Sequence, residues 1–535
     1  MFIFVMLNNF LLYSNNKYYL FLLLETIILT LIIMIFCFEF KISYNEMDVF
    51  TYAKASYENG LNTGWYKYLQ FPANFLFNWT LGLFMFYFNP FKVILIGRIL
   101  SYILISQAFI YLSRTLKLTF LTSVLTFIIF IYFFKSGIGA AGEWIVGGLE
   151  SKVFAYSFAI FSLSSFLRKK NRFGFLFAGL AISTHLLIGI YNLFCLMPII
   201  FYISYRKKLI FFDILKSIPY FILTGIIGIS EILNSFCLNT SQIIQDRGWD
   251  IYTQIRVPHH LIPNFSKETW AIIIVSTIIN LIFISNKNKT IKYITLYCLF
   301  SILIIIPGFI IYYFYELHYL RFYFFRFCEI MMPLLTLLLI ATINHKIKFV
   351  TLFLILATII LPSVIQERKI SKFLSLKSYN INLIKNKTDE DKIMTEWINS
   401  NTMKDDIFII SPEKIYFCMN TEREVFISWW MLAKQNDYKS VENIPTEMIE
   451  WYNRLHLLNL NNEFTTLSEV KKNYLKLDEH AILDIQKTYK SVKYILMPSY
   501  IKLDFPIVIK TEKQILYSIN MQSQNINPNS VPYFR

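Results

Sequence analysis

The sequence predicts an α-helical polytopic membrane protein carrying a soluble C-terminal domain of α/β or α+β type. Three observations lead there. The chain of 535 residues is 56% hydrophobic and only 16% charged, where soluble domains carry about 25% charged residues. Its mean hydropathy is +0.48. Apolar runs of membrane-crossing length recur up to about residue 364, after which the sequence turns mixed and polar.

The runs lie at about 20–38, 93–112, 118–134, 152–167, 173–188, 190–204, 217–235, 269–285, 293–311, 328–344 and 349–364. A hydrocarbon core of about 30 Å needs about 20 helical residues, and about 17 at the short end. The expectation is therefore about 11 transmembrane helices in residues 1–364, with 152–167, 173–188, 190–204 and 349–364 at the short limit. Residues 71–91 are apolar but interrupted by Pro72, Asn74, Asn78 and Trp79, which reads as a re-entrant or interfacial helix. The first run is too long for a signal-peptide core and no small-residue cleavage site follows it, so it reads as a retained span.

With a cytoplasmic N-terminus, the inside loops are 113–117, 168–172, 205–216, 286–292 and 345–348. Together they carry fifteen Lys and Arg against one acid, Asp213. That alternation follows the positive-inside rule. It accounts for much of the formal charge of +16 without a nucleic-acid partner. The six Cys, at 37, 195, 237, 298, 328 and 418, form no CxxC and no zinc spacing, so neither a disulfide nor a thiolate metal site is expected.

Residues 365–535 are expected to form the soluble domain outside the membrane. Residues 395–401 read as a helix end, 446–460 as an amphipathic helix, and 406–410, 492–497 and 506–510 as strands. On the same side fall the outer loops 39–92, 135–151, 236–268 and 312–327, with a tight turn at 185–192.

These outer loops hold the unusual residues. Glu46 and Asp48 stand two apart just past the first span; such a pair can take a proton from a hydroxyl or hold a divalent cation, and can equally be a solvated loop start. The second loop has five Gly in residues 137–148, followed by Glu150 and Lys152 at a helix start. Those two could place a sugar and a lipid phosphate, or anchor the helix end at the headgroups. His185 is a lone histidine late in a span, where a packed, hydrogen-bonded role competes with a substrate role. In the long loop, Pro258 and Pro263 bracket His259 and His260, which argues for an extended or turned backbone rather than a helix. Arg247 and Arg256 are candidate phosphate clamps, since guanidinium meets phosphate oxygens bidentately. Arg321 and Arg326 lie among Tyr and Phe, either lining a site or snorkelling within an aromatic belt.

GGLESKVFAYSF, AGLAISTHLLIGIYN, RVPHHLIPNFS and LRFYFFRFCEIMMPLL, with TEWINSNTMKDDIFIISP and EWYNRL in the tail, carry a wider resemblance. Together they resemble a family of bacterial polytopic membrane proteins that is itself similar to the GT-C glycosyltransferases. The resemblance implies a helical membrane core with a soluble tail domain. It also implies a polyprenyl-phosphate sugar donor used on the non-cytoplasmic side of the bacterial inner membrane. A carboxylate of the first outer loop then serves as base or metal ligand, which falls on Asp48 with Glu46, and the metal would be a divalent cation such as Mg or Mn. The family's paired acids are an ExD here.

The leading expectation is a glycosyltransferase acting on lipid-linked donors, with a glycan or lipid-linked acceptor, in surface-polysaccharide assembly. An O-antigen-type polymerase would use the same donors on the same face. A lipid-linked oligosaccharide flippase is a third reading, although no inverted repeat is visible. A non-catalytic membrane protein is the fourth.

Overall fold

The computed structural model describes residues 16–38, 46, 74–135, 137–206, 208–236, 241–263, 265–344, 389–414, 416–421, 423–429, 444–458 and 466–519. Asp48 and the run at 349–364 lie outside the described residues.

The membrane-type part contains α1 (Asn16–Cys37), α2 (Phe75–Tyr87), α3 (Pro90–Thr115), α4 (Phe120–Phe134), α5 (Ser151–Leu167), α6 (Asn171–Thr184), α7 (Leu186–Arg206) and α8 (Lys208–Phe236). There follow α9 (Gln242–Ile251), a π-helical turn Tyr252–Arg256, and α10 (Pro258–Leu261). Next come α11 (Lys267–Phe283), α12 (Lys289–Leu303), α13 (Ile305–Tyr313), a 3-10 turn Leu317–Phe322, and α14 (Arg326–Asn344). Local chemistry sets the starts. Asn89 accepts from the N–H groups of Phe91 and Lys92 while Pro90 fills the first helical position, where its missing N–H costs nothing. Ser266 caps α11 by accepting from Thr269.

Among the described residues, four helical stretches are long and apolar enough to cross a membrane: Tyr19–Cys37, Phe91–Thr115, Phe212–Ser230 and Lys289–Tyr313. Phe120–Phe134, Ser151–Leu167 and Leu186–Tyr202 are apolar but shorter. The helices pack on one another through buried side chains such as Leu29, Tyr102, Phe127, Tyr156, Cys195 and Leu335. Their outer faces leave large apolar groups uncovered, with Leu223 74% and Phe201 71% exposed. Faces of that kind suit lipid as the solvent, since hydrocarbon has no preference against them.

Two local expectations change. The segment between Pro258 and Pro263, expected to be extended or turned, forms a helical turn over Pro258–Leu261. Pro258 opens α10 at its first position, and Pro263 lies beyond its end, so neither proline interrupts a helical hydrogen bond. The turn expected over 185–192 shrinks to one residue. His185 alone is extended (φ −151°, ψ 107°), and α7 begins at Leu186.

The tail forms a five-stranded mixed sheet in the order β2-β1-β3-β5-β4. Its strands are β1 (Ile407–Ile409), β2 (Glu424–Val425), β3 (Val492–Pro498), β4 (Ile507–Lys510) and β5 (Gln514–Ser518). β1 runs parallel to β2 and β3, and β5 runs antiparallel to β3 and β4. Helices α15 (Asp389–Asn401), α16 (Tyr416–Thr421), α17 (Ile444–His456), α18 (Leu467–Tyr474) and α19 (Glu479–Thr488) accompany it. Met394, Ile398 and Phe408 centre one apolar cluster. The larger cluster, around Trp451, Leu455 and Ile495, also takes in Ile251 and Ile255. Thus α9 and the π-turn belong to the tail's core as well as to the loop that carries them.

Candidate functional site

The Gly-rich loop 137–150 is where the outer loops meet. The Glu329 carboxylate at the start of α14 accepts N–H bonds from Gly139 (2.5 Å), Ala141 (2.9 Å) and Glu143 (3.1 Å). Gly137 sits at φ +66°, and a Cβ there would run into the Glu329 side chain. Glycine is therefore required at that position twice over, by conformation and by space. From the first loop, Glu46 accepts from Arg98 Nε (2.8 Å), Arg98 Nη2 (2.5 Å) and the Leu149 N–H (2.7 Å). The long loop adds His260, whose Nδ1 lies 2.8 Å from the Ala141 carbonyl. A carbonyl only accepts, so Nδ1 carries the proton. Thr269 donates to the Ile138 carbonyl at 2.7 Å.

Behind this loop lies a buried ionic group. Lys152 Nζ is 3.4 Å from Glu143 and 3.1 Å from Glu150, and it sits 3.9 Å over the Trp144 ring. Arg326 Nε reaches the other Glu143 oxygen at 2.7 Å, and its guanidinium stacks 3.9 Å over Tyr323. Neither Glu143 oxygen receives a directed hydrogen bond; the contacts are charge on charge, off the N–H axis. Glu143 is fully buried, whereas the Arg326 side chain is 16% exposed. Tyr323 is bonded to Tyr252 through their hydroxyls at 2.5 Å, tying the long loop to the aromatic one.

The field of this group reaches the imidazoles. His260 is pushed down to about 3, by burial first and then by the Arg326 charge. His259, on the exposed side of α10, is lowered for the same two reasons. Their rings lie 4.1 Å apart. Both are neutral at physiological pH, which suits hydrogen bonding to an uncharged group such as a sugar hydroxyl.

A second polar group forms between α9 and the 3-10 turn. Arg321 lies over the rings of Trp249 (4.9 Å), Phe322 (5.2 Å) and Tyr319 (5.8 Å). His318 faces Asp246 at 3.6 Å, Glu316 at 3.8 Å and Asp250 at 3.9 Å. Arg247 is exposed on α9. Arg256 is buried at the end of the π-turn, 5.5 Å from the Trp451 ring of the tail domain.

Of the residues singled out from the sequence, Glu150, Lys152, Arg326 and His260 are brought together around the Gly-rich loop, with His259 beside them. His185 occupies the corner between α6 and α7, with a buried Nδ1 that makes no hydrogen bond. Arg321 and Arg247 belong to the neighbouring group, and Arg256 faces the tail. Glu46 joins the same loop, but as the counter-ion of Arg98, the two side chains being 0% and 1% exposed. Both of its oxygens are engaged there, so Glu46 as placed does not fit a cation ligand and no metal step follows from it. Among the described residues no cluster of three or more His, Cys, Asp or Glu could hold a metal ion. Glu143, Glu329, Arg98, His318 and the Tyr252–Tyr323 pair were not anticipated as site residues. Arg98 and Glu329 carried a usable signal, since each is an ionisable residue in or beside an apolar run.

Comparison with known proteins adds little chemistry. A domain family of unknown function (DUF6798) matches residues 389–458, at the start of the tail domain. No curated protein matches the chain. Among solved structures, it is similar to the archaeal oligosaccharyltransferase AglB from Archaeoglobus fulgidus, determined in complex with an inhibitory peptide and a dolichol-phosphate. The TM-score is 0.47 at 9% identity, over 91% of this chain and 70% of that chain.

Proposed function

We propose that the protein is a membrane-embedded glycosyltransferase that takes sugars from polyprenyl-phosphate donors on the non-cytoplasmic face of a bacterial inner membrane, in surface-polysaccharide assembly. The reading includes the full set of about 11 spans, the cytoplasmic N-terminus and the extracytoplasmic tail domain expected from the loop charges. One observation supports it above the rest. Loops far apart in sequence close on Gly137–Glu150, and the cations Lys152 and Arg326 meet neutral imidazoles there. A scaffold protein has no need to bury so much charge at one end of its helices.

In this reaction the acceptor hydroxyl attacks the anomeric carbon while the bond to the donor phosphate breaks. The hydroxyl proton goes to a base, and the electron pair leaves on the phosphate oxygen. The protein has to supply the base and cations that hold the departing phosphate. Asp48 is the proposed base. It lies two residues after Glu46, whose carboxylate is bound to Arg98 and to the Leu149 N–H of the Gly-rich loop. Lys152 and Arg326 hold the phosphate. His259 and His260 line the sugar site with Glu150 and His185, and the exposed Arg247 stands toward the entrance.

Membranes from a deletion strain complemented with Asp48→Asn test the assignment. Loss of transfer of the labelled sugar from lipid carrier to acceptor, at unchanged protein level, is expected. Wild-type transfer in that variant would remove Asp48 from the mechanism. A normal glycan profile in the deletion strain itself would overturn the reading as a whole.

A further inference from the structure

The two cations of the site are already occupied. Lys152 lies between Glu143 and Glu150, and Arg326 is held by Glu143. The third acid nearby, Glu329, is engaged by three backbone N–H groups. The charges the protein itself supplies there are therefore close to balance, and an entering anion finds no uncompensated positive charge. Something has to release the cations.

Glu143 differs from Glu329 and Glu46 in how it is held. Its carboxylate is fully buried, yet neither oxygen accepts a directed hydrogen bond. A buried carboxylate without such bonds relies on charge attraction alone and yields more readily than one that is also hydrogen-bonded. By contrast, Glu329 and Glu46 each accept three. Arg326, half of this loose pairing, is also the more open member, 16% exposed against 6% for Lys152. Arg326 is therefore the cation with more surface left for an entering anion to reach.

We infer that Glu143 is a resident counter-ion: it holds Lys152 and Arg326 between turnovers, gives them up to the phosphate of a lipid-linked ligand, and reclaims them when the phosphate leaves. The inference rests on the proposed role of those two cations toward the donor phosphate, and it adds the group that phosphate must displace. No bond to Glu143 forms or breaks. Three anionic groups then compete for two cations, so Glu143 weakens phosphate binding and speeds product release. That is a positioning role with an unusual sign.

The test uses the full-length protein in detergent, with farnesyl phosphate as the lipid-phosphate probe and inorganic phosphate as the free-anion control. Glu143→Gln is expected to bind farnesyl phosphate about tenfold more tightly than wild type, the scale of one competing charge interaction at a buried site. In sugar transfer the same variant should show a lower KM together with a lower kcat, because product is retained. Glu143→Asp, which keeps the charge, should return both toward wild type. Thermal melting and gel filtration confirm that each variant is folded. If wild type binds farnesyl phosphate and Arg326→Lys weakens it, but Glu143→Gln binds no more tightly, the counter-ion assignment fails while the proposed function stands. If wild type and all variants ignore farnesyl phosphate, the lipid-phosphate reading fails, and this inference with it. Equal gains for inorganic phosphate would show that the exchange serves the free anion rather than the lipid-linked one.

Discussion

Single residues decide how the Gly-rich loop is held. Gly137→Ala places a methyl group against Glu329 at a backbone angle that side chains rarely adopt. A loss of roughly 2 kcal/mol or more is expected, read as a lower melting temperature of the purified protein. The Glu46–Arg98 pair has a different failure. Glu46→Gln removes one negative charge from beside the 1% exposed guanidinium, and breaking a buried pair from one side costs about 3–5 kcal/mol. Replacing both partners with apolar residues should recover much of that loss, which a double-mutant cycle would measure.

His260 gives a pH dependence with a definite sign. Its folded value of about 3, set by burial and by Arg326, lies below the ordinary histidine value of about 6.5. The unfolded chain therefore binds the proton first as pH falls. Stability should be level above about 6.5, decline between there and about 3, and level again below. Replacing His260 with Gln should flatten that part of a melting-temperature profile; an unchanged slope would mean other groups carry it.

At the scale of elements, α9 is the connection that matters. It packs on α17 of the tail domain, and a Cβ on Gly248 would meet the Pro445 main chain. Gly248→Val should separate the two helices and leave the sheet intact. Hydrogen exchange would then rise across 242–256 and 444–456 but not in β3 or β5. Protection unchanged at both helices would show that the contact tolerates the wedge.

Elements also show what could be read from the chain beforehand. Among the described residues, the long apolar runs are helices close to where hydropathy placed them, because length and composition alone specify such helices. Strands β1, β3 and β4 lay under the alternating or β-branched segments of the tail. Two kinds of information were absent. Proline can open a helix as readily as block one, so the PHHL segment reads from sequence as extended or turned rather than helical. Contacts over long sequence separations leave no local mark either: nothing around Glu329 announces that three amides nearly two hundred residues earlier will bind it.

For the whole molecule, sidedness is the property on which the functional reading depends. Ile243 (81% exposed) and Met403 (71% exposed) should both react, as introduced cysteines, with a membrane-impermeant maleimide from the non-cytoplasmic side. A cysteine at Lys287 should react only from the other side. Labelling of 243 and 287 from the same compartment would refute the proposed orientation.

The sharing of α9 between two parts of the fold has a consequence for biosynthesis. Ile251 and Ile255 find their apolar partners around Trp451, which the ribosome adds about two hundred residues later. Through that interval the nascent segment holds an unsheltered greasy stripe beside the bilayer. Such exposure invites premature association, so a truncated product ending before the tail should aggregate or be degraded even though every span it contains is intact.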